Sequence, residues 1–157
     1  MRSRLAIPPA TKAEHDLIHA ALVAATHAPG EVGAAARALA AVLHPHFVRE
    51  EEIALPPLGL MAPLATGVAL TLEEVSAVLT MTNALRRELP RMLEEHVTIR
   101  AAIEKLRAAA VAARSPEHER LADQLALHAQ TEEQVLYPAA ILVGDLVRAR
   151  TAHAAAG

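Results

Sequence analysis

The stretch LRRELPRMLEEHVTIRAAIEKL, residues 85–106, decides the fold. Leu85, Leu89, Met92, Ile99, Ile103 and Leu106 recur at helical spacing and build one apolar face, which Val75 and Leu79 extend upstream. His96 falls on that face, in its middle. Thr71-Leu72-Glu73-Glu74 ahead of it has the form of a capping box, in which hydroxyl and carboxylate each satisfy a backbone N–H at the helix start. The spacing therefore predicts a helix from Thr71 to about Ala113, with a kink or break at Pro90.

Working outward, Ser115-Pro116-Glu117 supplies a capping hydroxyl, a proline at the first helical position and an acid in the first turn. A last helix is predicted from there to about Arg150, bent at Pro138. Upstream, Thr11-Lys12-Ala13-Glu14 reads as another capping box, so the first helix is expected to begin near Lys12 and to end at His27-Ala28-Pro29-Gly30. A second helix follows from about Glu31 to Ala54. Four helices in 157 residues make a single all-α domain, residues 1–157, with a bundle core of about 12–150 and an antiparallel four-helix arrangement.

Composition supports this. The apolar residues are mainly Ala, Leu and Val, with one Phe, one Tyr and no Trp, which suits helices and starves a sheet. A net charge of -3 leaves no broad cationic surface, so nucleic acid is not an expected partner. With no cysteine, disulfides, thiolate metal sites and cysteine nucleophiles drop out together. MRSRLAIPPATK has no apolar run ending in a small-residue cleavage site, which makes the cytoplasm the expected location. Ile53 to Leu72 is uncharged over a membrane-spanning length, but Pro56, Pro57, Pro63, Gly59 and Gly67 make it a poor helix. A loop packed on the bundle is expected there, and no membrane partner.

The apolar stripes turn polar at their centres. In the last helix, Leu121, Leu125, Val135 and Leu142 frame His128 and Glu132; in the second, Leu39, Val42, Leu43 and Ile53 frame His46 and Glu50. The first helix places His15 and His19 in line with Ile18 and Leu22. These groups also share a level: His15 and the His46/Glu50 pair are about equally far from the Pro29-Gly30 turn, and His96 and the His128/Glu132 pair from Ser115. An unpartnered buried carboxylate costs several kcal/mol or takes up a proton, whereas divalent ions would satisfy two acids among four imidazoles. Oxygen and nitrogen donors suit Fe, Mn or Zn, and carboxylate-rich bundles with two ions are an established architecture for iron. His27, His44, His118 and His153 fall off the stripes and are expected at the surface. Glu51, Glu52 and Glu133 read as solvated or outer acids, Tyr137 and Pro138 as packing and a bend, and Arg100 as a surface partner of Glu95 or Glu104.

The ordered set His15; His46-Phe47-Val48-Arg49-Glu50; Glu95-His96; and His128-Ala129-Gln130-Thr131-Glu132, in the contexts HFVREEE and HAQTEEQVLYP, resembles the hemerythrin-like (HHE cation-binding) family over residues 12–145. The resemblance implies two Fe ions joined by an oxo or hydroxo bridge, in preference to Mn or Zn. His15 and His46 would lie on one ion, His96 and His128 on the other, with Glu50 and Glu132 between them. Oxygen-carrying members have a further His one turn after the third-helix ligand; here that position is Arg100. His19, Glu133 and Arg100 are candidates for outer contacts or an additional ligand. The implied function is a non-haem di-iron protein that binds or reduces O2, H2O2 or NO, with catalase- or peroxidase-like activity or sensing ahead of simple oxygen carriage. The alternatives are a metal-stabilised interaction module and an iron-sensing or storage protein without redox catalysis.

Overall fold

The structure, a computed structural model, describes residues 4–156, so the outermost residues of the expected domain lie outside the described range. Among the described residues the regular structure is entirely helical. Helix α1 spans Pro9–Ala25, α2 Gly30–Ile53, α3 Met61–Ala65, α4 Leu72–Ala112, α5 Pro116–Thr131 and α6 Tyr137–Ala156. A 3-10 segment, Pro56–Leu60, precedes α3, and a π-helical turn, Glu132–Leu136, joins α5 to α6 as one rod.

The helix starts show which sequence signals are used. Thr71 caps α4 as expected: the Glu74 N–H donates to Thr71 Oγ1 (3.1 Å) and the Thr71 N–H to Glu74 Oε2 (2.9 Å). The box at Thr11 is not used; α1 starts earlier, at Pro9, where a proline's fixed φ already suits the first helical position, and the Lys12 N–H donates to the Pro8 carbonyl. Ser115 does not cap α5 through its side chain, because its hydroxyl pairs with His118 Nδ1 (2.6 Å) instead. Gly30 takes a φ of +66° at the turn into α2, a backbone setting that glycine reaches without strain. Helix α4 runs through Pro90 without the expected break. Pro90 is exposed, so water can serve the carbonyl left without its helical donor.

Helices α1, α2, α4 and the α5–α6 rod pack as a helical bundle, α2 and α5 both lying against α4 while α1 bridges α2 and α5. One apolar cluster, built on Leu22, Leu39, Phe47, Ile103, Leu106 and Leu125, fills one end. A second, built on Ile53, Leu55, Leu58, Leu85, Met92 and Tyr137, lies on the other side of the polar layer, and a third group with Leu60, Leu64, Val78, Val143 and Val147 closes that end. The segment after α2 is thus a packed cover, and no described helix is long and apolar enough to cross a membrane.

The π-turn corrects the sequence reading of the last helix. Val135 and Leu142, placed on the inward stripe by a regular α period, are 55% and 64% exposed. The turn accommodates one extra residue, so the inward face continues through Tyr137, Ala140, Val143, Gly144 and Val147. Gly144 lies where α6 approaches α4: a Cβ there would meet Thr82 Oγ1 at 2.2 Å and Thr82 Cβ at 2.7 Å. Gly144→Ala is therefore expected to destabilise the protein by about 1–3 kcal/mol, and Thr82→Ala in the same chain to restore part of the loss in urea unfolding.

Arg4 ties the N-terminal segment to the start of α4, its Nε and Nη2 donating to the Glu74 carboxylate at 2.8 and 2.6 Å. The Arg4 guanidinium, with the Thr71 N–H, holds the Glu74 carboxyl down to about 2 from 4.5. A depressed carboxyl contributes stability above its unfolded value and loses it as pH falls towards the folded one. The difference in urea midpoint between the wild type and Glu74→Gln is expected to be largest above pH 5 and to vanish as pH approaches 2.

Candidate metal centre

His15, His46, Glu50, His96, His128 and Glu132 are all buried and converge between the first two apolar clusters, on the four rods that the sequence predicts. Within each rod the reason is the period: His46 and Glu50, and His128 and Glu132, are four residues apart and share a face.

The donors form two groups. His46, Glu50, His96 and Glu132 each offer an atom within 4.8 Å of the others, and so do His15, His128 and Glu132. Both groups could hold a metal ion. Glu132 belongs to both: its Oε1 lies 3.3 Å from His15 Nε2 and 2.7 Å from His128 Nε2, and its Oε2 lies 3.3 Å from His96 Nε2. Glu50 also faces both sides, Oε1 at 3.1 Å from His46 Nε2 and Oε2 at 3.8 Å from His15 Nε2. The histidine pairing differs from the one the resemblance implies. His46 stands with His96 (ring centroids 4.6 Å), across the α2–α4 contact, and His15 with His128 (4.8 Å), across the α1–α5 contact.

Each histidine turns Nε2 inward and Nδ1 outward to a carboxylate on the next helix. His46 Nδ1 donates to Glu95 (2.8 Å), His96 Nδ1 to Glu133 (2.8 Å) and His128 Nδ1 to Glu14 (3.3 Å), while His15 Nδ1 points to Glu51 at 3.6 Å, beyond hydrogen-bond reach. The acids run round the bundle: α1 serves α5, the turn after α5 serves α4, α4 serves α2, and α2 serves α1. Arg91 binds Glu95 (2.9 Å) and Arg100 binds Glu133 (2.5 Å). Arg100 therefore pairs with Glu133, not with Glu95 or Glu104.

Burial, the largest influence on Glu95 and Glu133, favours their neutral forms, but the hydrogen bonds from His46 and Arg91, and from Arg100 and His96, win and hold both carboxyls low. A charged carboxylate only accepts, so His46 and His96 carry their protons on Nδ1. Their Nε2 atoms then face each other at 2.8 Å with lone pairs unless a cation or an added proton lies between. His128 Nε2 stands close to Glu132 without hydrogen-bond geometry, and it, Glu50 Oε2 and His15 Nδ1 are buried with no hydrogen-bond partner. Of these, Glu50 Oε2 and His128 Nε2 face the interior, and buried inward donor atoms left without a partner fit a metal ion.

In the protein alone, protons take that place. Burial pulls the His46 ring towards neutrality, but Glu50, Glu95 and Glu132 outweigh it and push it up to about 9. Glu132, Glu50 and Glu14 do the same for His128. Burial and the neighbouring Glu132 charge push Glu50 up, whereas Glu132 keeps its charge: the His128, His15 and His96 rings beside it outweigh its own burial. Metal uptake must displace the added protons.

Tyr137 is the site residue that the sequence reading assigned to packing. It is buried, its Oη donates to Glu50 Oε1, and the same oxygen lies 3.2 Å from both His46 Nε2 and His96 Nε2. Burial and the Glu50 charge raise the phenol, so it stays protonated. It lies five positions after Glu132, a spacing that shares a face only on a π-turn. His19 is exposed on α1, outside both donor groups.

Scans against known protein families, curated proteins and solved structures give no match to this chain.

Proposed function

We propose that this chain is a non-haem di-iron protein of hemerythrin-like type, an antiparallel four-helix bundle that binds or reduces a small oxidant. The observation that carries the reading is the set of four Nε2 atoms aimed at two shared carboxylates, with His46, His96 and His128 each hydrogen-bonded to an outer acid. His46, His96, Glu50 and Glu132 would hold one ion, and His15, His128, Glu132 and Glu50 the other. Two iron ions side by side would supply the electrons for reduction of O2, H2O2 or NO. Six side chains provide fewer donors than two such ions accept, which leaves positions for a small molecule.

The remaining residues set the surroundings. Phe47, Ile99 and Met92 lie buried around the layer and keep bulk water out, which strengthens every charge interaction within it. Tyr137 Oη holds a proton hydrogen-bonded to Glu50 and within reach of the His46 and His96 side, where a reduced oxidant needs one. Arg100, at the position of a further histidine in oxygen carriers, anchors Glu133 and so orients His96. That arrangement favours peroxide decomposition or sensing over reversible carriage.

Protein purified and dialysed is expected to retain about two tightly held irons per chain, and His128→Ala to lose metal and stability together because site assembly and folding are linked. His118→Ala should change neither. Gas release on mixing the iron-loaded protein with H2O2 tests the activity, while zinc in place of iron in the purified protein, or equal iron in both variants, would contradict the reading.

A further inference from the structure

On the outer side of His15, between α1 and α2, lies a cleft of about 220 Å³. Its polar lining consists of Lys12, His15, Asp16, His19, His44 and Glu51. His19 and His44 come from different helices, and their exposed rings stand 5.8 Å apart between centroids at an angle of 39°. A pair of imidazoles at that separation can close on a single divalent ion. Asp16, one turn before His19 on α1, lines the same cleft and adds a carboxylate.

Two independent observations point to a cation here. His15 is buried, lines the cleft, and its Nδ1 has no hydrogen-bond partner. A cation also already occupies the neighbourhood: Lys12 Nζ is bonded to Asp16 Oδ1 and lies 3.6 Å from Glu51 Oε1, and Glu51 Oε1 is in turn 3.6 Å from His15 Nδ1. Lys12 is a half-exposed side chain on a flexible stem, so its ammonium can leave and free both carboxylates. His15 spans the wall, Nδ1 towards the cleft and Nε2 towards Glu132 and Glu50.

We propose that His19 and His44, with Asp16, form a surface site for a divalent metal ion that loads the buried centre past Glu51 and His15. The binding half stands on the cleft alone, whereas the loading half rests on the buried cluster being a metal centre. No electron transfer or bond cleavage is involved; the ion exchanges one set of nitrogen and oxygen donors for another and displaces protons inward.

The test is anaerobic Fe(II) addition to metal-free full-length protein, following both equilibrium uptake and its time course. The wild type is expected to bind about three ions per chain at saturation, one of them weakly. His19→Ala with His44→Ala should lose the weak ion and fill the remaining positions roughly tenfold more slowly, as when a charge-lined cleft that concentrates an ion is removed, yet reach the same final content there. Lys12→Gln should tighten the weak ion, which a merely structural role for the histidines would not predict. Unchanged stoichiometry and rate in the double variant would overturn the proposal, and an unchanged rate with the weak ion lost would overturn its loading half. If instead the buried cluster is no metal centre, the wild type binds at most the weak ion, His128→Ala leaves that uptake intact, and the double variant still abolishes it.

Discussion

Glu132→Ala is expected to abolish iron uptake at both positions and to destabilise the metal-free protein as well. This carboxylate contacts three of the four inward histidines and is shared by both donor groups. Without it, neither donor group would keep an adequate set of protein atoms for an ion. In the metal-free state it is also the buried charge opposite the protonated His128, and removing one partner of such a pair costs about 3–5 kcal/mol. Glu132→Gln separates the two effects. It keeps the volume and an acceptor oxygen, so it should lose the metal with a smaller fall in urea midpoint. Glu133→Gln, one residue away, leaves all six inward donors in place; its expected cost is a roughly 10–100-fold weaker metal affinity, the range for changing an outer partner of a ligand. Iron per chain after dialysis, measured beside urea unfolding, checks all three. Two irons retained by Glu132→Ala would show that the shared carboxylate does not hold them.

The features legible in the sequence are those that depend on one helix at a time. The four-residue spacing of His46 and Glu50, and of His128 and Glu132, fixes a face whatever the neighbours do, and the hydroxyl and acid at Thr71 and Glu74 find each other within one turn. The pairing of histidines between rods depends on the rotation and order of the rods, which no periodicity encodes. That is why His46 faces His96 rather than His15. The outer acids carry a readable signal in part. Glu14, Glu51, Glu95 and Glu133 each adjoin an inward His or Glu in sequence, and a residue one position away lies about 100° round the helix, at the seam with the next rod. An outer or solvated place for Glu51 and Glu133 follows from their position on the helix, but their particular histidines depend on contacts between helices. At Thr11 and Ser115 capping residues were present without the expected bonds, because Pro8 and Pro9 start the helix earlier and His118 takes the serine hydroxyl.

Deletion of Val135 is expected to be tolerated, whereas deletion of Gln124, also exposed and only eleven positions earlier, is expected to unfold the protein. The difference lies in the π-turn. In α5 the residues Leu121, Leu125 and His128 follow the regular period, so removing Gln124 rotates everything beyond it by about 100°. Either Leu121 and its neighbours or His128, Glu132 and Tyr137 must then leave the interior, at a loss of more than about 4 kcal/mol and with no metal bound. Between Glu132 and Leu136 the chain already carries one residue more than an α-helix needs. Removing Val135 brings Tyr137 to four positions after Glu132, where a regular turn keeps both inward, and leaves Ala140, Val143, Gly144 and Val147 on the buried face. The expected loss is no more than about 2 kcal/mol, within the range of ordinary single changes. Helical circular dichroism, the melting midpoint and iron per chain distinguish the two deletions. Equal damage from both would mean that the turn is not an accommodated extra residue and that the inward placement of Tyr137 has another cause.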